Sequence, residues 1–121
     1  MSKISSFEDL VIWQESMAIA VVLYKEFSNC KDFAFRDQIL KASVSVPSNI
    51  SEGFERNNDK EFFNFLRYAK GSAGEVRTQL ILAKSVGLTT NPETPLLINR
   101  LITLSKQIQS LMNSINRKLG R

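Results

Sequence analysis

The stretch DKEFFNFLRYAKGSAGEVRTQLILAKSV, residues 59–86, decides the fold. Phe62, Leu66, Ala69, Ala73, Val76, Leu80 and Ala83 recur along it in alternating steps of 4 and 3. A helix turning once in about 3.6 residues carries such a set on one stripe. Asn58 stands where a side-chain oxygen caps the first turn, with Glu61 as the capping-box partner. Gly87 stops the segment. Gly71 and Gly74 lie inside it. Each costs a helix about 1 kcal/mol relative to Ala, a cost that predicts close approach of a neighbouring backbone.

Three more segments of the same kind flank this one. Upstream, Phe33 to Phe54 has the seam Ile39, Ala42/Ser43, Val46, Ile50 and Gly53. Pro47 lies in its middle, where it lacks a donor and crowds the carbonyl of Ser43, so a kink is expected there. Ser43, Ser45, Ser48, Asn49 and Ser51 surround the proline. No base is at hand to activate a serine, so their expected role is to satisfy the carbonyls that the proline frees. Further upstream, Phe7 to Asn29 opens after Ser5 and Ser6, either of which can cap it. Its seam reads Leu10, Trp13, Met17, Ala20, Tyr24 and Phe27. Ile12, Ile19 and Leu23 fall off that seam and need cover, which a second subunit would supply. Downstream, Thr94-Pro95 looks like a cap followed by a first-turn proline. The last segment then runs to Leu119 on Leu97, Leu101, Leu104, Ile108, Leu111 and Ile115. Four long segments with short joints and no convincing strand predict an all-α fold. The expected form is one antiparallel up-down-up-down four-helix-bundle domain over residues 1–121, with the second helix kinked at Pro47.

Composition agrees. The 121 residues are 43% hydrophobic and 23% charged, a globular balance with material for one core. Five Gly and three Pro are too few for the turns of an all-β fold. There is no His and only Cys30, which removes His-based triads, His-containing metal sites and an intramolecular disulfide. No apolar run is long enough for a membrane span, and Met1 to Ser6 lacks the apolar stretch of a signal peptide, so the cytoplasm is the expected compartment. No cofactor, metal, membrane or catalytic residue is implied, and the expectation is a binding protein rather than an enzyme.

The net charge of +4 is unevenly spread. Residues 76–121 hold seven Lys and Arg against Glu93 alone. On the third segment Lys60, Arg67, Lys70, Arg77 and Lys84 fall within an arc of about 120°, in a row about 36 Å long. A line of cations matches a nucleic-acid backbone, and such contacts are sequence-independent and salt-sensitive. Tyr68 lies beside the row, where it can stack on a base or simply pack. The GXXG of Gly71-Ser72-Ala73-Gly74 sits inside a helical pattern and does not read as an RNA-binding loop. Glu52 and Glu75 are the carboxylates that could meet between the second and third helices, where an Arg would have to accompany them.

Ser45-Val46-Pro47-Ser48-Asn49-Ile50-Ser51-Glu52-Gly53, followed by Arg56, resembles the SxPxNxxEG…R signature of the four-helix-bundle proteins encoded in 23S rRNA intervening sequences. Residues 7–14, Gln38-Ile39 and the run from Phe62 to Leu80 are similar to that family too, so the likeness covers about residues 7 to 118. The resemblance implies an antiparallel four-helix bundle with Ser45, Pro47, Asn49, Glu52, Gly53 and Arg56 in structural roles. It also implies kinship with the accessory protein of diversity-generating retroelements. That relative forms a barrel-like homopentamer and binds a reverse transcriptase and nucleic acid through a basic surface. Partners expected on this reading are further copies of the chain, and RNA, DNA or a nucleic-acid-handling protein. The alternative is a protein-interaction scaffold with no nucleic-acid role.

Overall fold

The computed structural model describes residues 4–121. A 3₁₀ turn, Phe7–Asp9, is capped by the Ser6 hydroxyl, which accepts from the Glu8 N–H at 3.2 Å. Leu10 is extended and separates this turn from α1, Val11–Phe27. The other helices are α2 (Phe33–Glu55), α3 (Asp59–Ser85) and α4 (Thr94–Lys118). Among the described residues there is no strand.

Each helix packs on the next in sequence, α1 and α4 close the ring, and the backbones of the diagonal pairs stand farther apart. The cross-helix bonds show the directions. On α3 and α4, Lys70 meets Gln109 and Asp59 meets Lys118. On α1 and α4, Arg100 meets Glu15, while Glu26 meets Asn91 from the loop before α4. In each pair one residue number falls as the other rises, so the neighbours are antiparallel. The fold is the expected four-helix bundle.

Local chemistry sets the boundaries. Asp32 caps α2 through the Phe35 N–H at 3.1 Å, and Asn58 caps α3 through the Glu61 N–H at 3.0 Å. After α3, Gly87 adopts φ 77° and lets the Leu88 N–H reach the Ala83 carbonyl at 2.8 Å. This six-residue closure tucks Leu88 against the core. Thr94 is not the cap expected of it. It lies inside the first turn of α4, 2% exposed, and Asn91 instead accepts from the Glu93 N–H.

Helix α2 continues through Pro47 without a break. The polar residues beside it do satisfy carbonyls, though not the one the proline frees. Ser43 donates to Leu40 O, Asn49 to Ser45 O and Ser51 to Ser48 O. Gly53, on the buried face of α2, admits a neighbour. A Cβ there would stand 2.5 Å from Phe65 Cβ on α3. At Gly71 and Gly74 the expected close approach is absent, since a Cβ at either would meet nothing within 4 Å.

The seams of α2 and α3 are buried as read, with Phe62 only partly covered. On α4, Met112 takes the core place expected of Leu111. The larger correction falls on α1. Ile12, Ile19 and Leu23 are 5%, 3% and 0% exposed within one chain, so they form the core and are not an oligomer interface. Ser16 lies between them, buried, its hydroxyl donating to the Trp13 carbonyl at 2.9 Å. A serine that bonds its own helix can sit in a core, so the true seam is Ile12, Ser16, Ile19, Leu23 and Phe27. Met17 and Tyr24, placed inside by the sequence reading, are 37% and 46% exposed.

Candidate nucleic-acid interface

Helix α3 lies between α2 and α4, and its polar side chains report the orientation. On one flank the Ser72 hydroxyl bonds the Ser45 hydroxyl of α2 at 2.9 Å. On the other the Lys70 ammonium donates to Gln109 Oε1 of α4 at 2.7 Å. The arc of cations therefore runs along the α4 side of α3 and outward from it. Lys60, Arg67 and Lys84 are exposed; Lys70 and Arg77 are half-buried. Among the described residues none of the five pairs with a carboxylate. The ion pairs lie elsewhere. Arg56 bridges Glu52 and Glu61, Arg100 holds Glu15, and Lys118 holds Asp59.

The cations are positioned by neutral partners. Gln109 holds Lys70 and in turn donates to Asn113 Oδ1 at 2.9 Å. Arg67 lies 5.8 Å from the centroid of the Tyr68 ring, and Tyr68 is 54% exposed. Phe63, three residues after Lys60 and four before Arg67, shares the cation arc. The guanidinium of Arg121 sits 4.9 Å from its ring centroid. Two bonds from Arg121 to Asn116 Oδ1 fix it there. Arg121 is thus a sixth cation of this face, and the sequence reading missed it. The signal was Gly120. Its φ of 74° turns the chain back, so that the Arg121 N–H bonds the Asn116 carbonyl at 2.8 Å.

Glu52 and Glu75 are both exposed, so no carboxylate pair is enclosed between α2 and α3. Glu52 serves as one anchor of Arg56, whose guanidinium also covers the Phe65 ring at 5.1 Å. Among the described residues no three metal-ligating side chains cluster. None of the described helices is long and apolar enough to cross a membrane.

A second surface feature lies across the molecule. Phe7, Trp13, Met17, Val21, Val44 and Pro47 are among the residues lining an open groove of about 610 Å³ between α1 and α2. It is apolar almost throughout, and the Phe7 and Trp13 rings meet within it at a tilt of 59°, their centroids 5.3 Å apart. The sequence reading recognised that α1 is apolar on two faces but assigned the outward one to the wrong residues.

The whole bundle can now be compared with known proteins. The model of the 23S rRNA-intervening sequence protein family matches residues 8–110. The chain belongs to that family. The match takes in every element that carries the SxPxNxxEG…R run and the cation row. Among solved structures, the bundle is similar to a protein of unknown function from the S23 ribosomal protein family of Bacteroides thetaiotaomicron. That likeness has a TM-score of 0.77 and 25% identity, over 84% of this chain and 98% of that one. No curated protein matches the chain.

Proposed function

We propose that this family member binds the phosphate backbone of RNA or DNA along α3. It does so without catalysing a reaction, as a homo-oligomeric accessory factor. The observation that carries this reading is the cation row itself. Lys60, Arg67, Lys70, Arg77 and Lys84 share one face, Arg121 joins them, and no carboxylate is paired with any of them among the described residues. Arg56 and Arg100, by contrast, each have an acid beside them. Cations left without one keep their full attraction for an external anion. Their spacing along one helix favours a linear polyanion over a compact one.

The test is binding of a generic oligonucleotide over a salt series. Affinity should fall steeply with salt, with a log–log slope of about −0.7 to −0.9 for each phosphate neutralised. Lys70→Glu or Arg77→Glu should weaken binding further and flatten the slope by about one contact or more. No binding at about 50 mM salt, or an affinity independent of salt, rejects the proposal.

The groove between α1 and α2 supports the oligomeric part. Apolar surface of this kind seeks cover, and the resemblance to the pentameric accessory protein of diversity-generating retroelements favours further copies of the chain as that cover. The groove also motivates the second reading, a scaffold whose partner is a different protein. Under that reading the purified chain is monomeric and does not bind oligonucleotides.

A further inference from the structure

We propose that the interface selects RNA over DNA, through a row of side-chain amides on α4 that reads the ribose 2′-hydroxyl; this rests on the nucleic-acid reading above. Gln109, Asn113 and Asn116 are spaced by 4 and 3 residues and so share one face of α4. That face is the one turned toward the cations, because Gln109 holds Lys70 and Asn116 holds Arg121. The bonds orient the amides. Asn113 Oδ1 accepts from Gln109 Nε2, and Asn116 Oδ1 accepts from Nε and Nη2 of Arg121. Among the described residues the Nδ2 groups of Asn113 and Asn116 donate to no protein acceptor. Two oriented donors therefore stand beside a row of cations, one helix away.

The chemistry divides between the helices. Cations satisfy phosphates, which are common to RNA and DNA and carry no information about the sugar. A strand lying along α3 lays its sugar edge over the adjoining helix, about 8–10 Å across. The sugar differs between the two nucleic acids only by a hydroxyl that both donates and accepts. An oriented amide N–H suits that oxygen. Over deoxyribose the same donor is covered by carbon and loses its water without return. Lysines alone would give no such preference, and a row of leucines would give the reverse.

The experiment compares one uridine-rich oligomer in three forms, ribose, 2′-deoxy and 2′-fluoro, with the full chain at fixed salt. The ribose form should bind roughly tenfold more tightly than the deoxy form, from two hydrogen bonds. The 2′-fluoro form, which keeps a ribose-like sugar shape without the hydroxyl, should bind like DNA. Asn113→Leu, an exposed change, should cut the RNA-to-DNA ratio about threefold, with RNA affinity falling, DNA affinity holding or rising, and the salt slope on DNA unchanged. Equal affinities for ribose and deoxy forms, with a normal salt slope, overturn this inference and leave the backbone-binding reading standing. Binding of the 2′-fluoro form as tightly as ribose also overturns it, since strand shape would then be the cause. Failure of all three to bind rejects both readings.

Discussion

Gly53 and Gly71 are both glycines within helices, and their surroundings give them opposite meanings. At Gly53 the missing Cβ is what lets α2 lie against Phe65, because a methyl would stand 2.5 Å from the Phe65 Cβ. That atom is fixed to the α3 backbone, so relief requires the helices to part. Gly53→Ala should therefore destabilise the fold by about 1–3 kcal/mol, the usual cost of overpacking. Gly71 faces open space within the chain. Gly71→Ala should stabilise the helix by about 1 kcal/mol. Urea unfolding of the two variants measures both signs. If Gly53→Ala unfolds at the parent midpoint, the contact is softer than the geometry shows. If Gly71→Ala destabilises, Gly71 meets something outside the single chain. Ser16 belongs at this scale too. Its bond to the Trp13 carbonyl makes a polar residue fit for the core, so that the α1 face of Ile12, Ile19, Leu23 and Phe27 can turn inward with a serine in its middle.

At the scale of the helix, the consequence is a clean pair of variants on α1. Ile19 is 3% exposed and Met17, two residues earlier, is 37% exposed. Ile19→Asp places an unpaired carboxylate among apolar side chains and should cost several kcal/mol, roughly enough to unfold a domain of this size. Met17→Asp should leave the thermal transition within a few degrees of the parent while lowering the mass in solution. Circular dichroism melts and light scattering read the two effects. A folded Ile19→Asp chain of reduced mass would restore the interface that the sequence implied. The contrast also explains what was legible. On α2 and α3 one stripe holds the buried side chains at an unbroken helical period, so that period finds the seam even though Val44, Ile81 and Leu82 lie exposed outside it. On α1 two apolar faces compete, and the period alone does not choose between them. The cation row was legible because charge and helical period suffice to place it. Arg121 and the amides of α4 were not, because their positions depend on a chain reversal at Gly120 and on a helix-to-helix register that no local pattern contains.

At the scale of the whole molecule, the proposed assembly would couple the two surfaces through charge. A single chain carries +4, a weak attractor for a long anion. Five copies at +4 each would carry +20, and each would add another cation row to the same ligand. The groove on α1 and α2 lies away from the cation row on α3, so under the proposed function any influence it has on nucleic-acid binding would run through assembly alone. Met17→Gln with Tyr24→Gln separates the two properties, since the exchange changes no charge and touches no residue of the cation row. Both positions are exposed, so the bundle should keep its far-ultraviolet spectrum and melting temperature. Its mass in solution should fall to that of one chain. Affinity for a long oligonucleotide should fall with it by about a hundredfold, the order expected when several linked sites become one. Affinity for an oligomer too short to bridge two rows should change much less. Loss of the assembly with undiminished affinity for the long ligand would show that one row suffices, and the role proposed for oligomerisation would fail while the cation row kept its own.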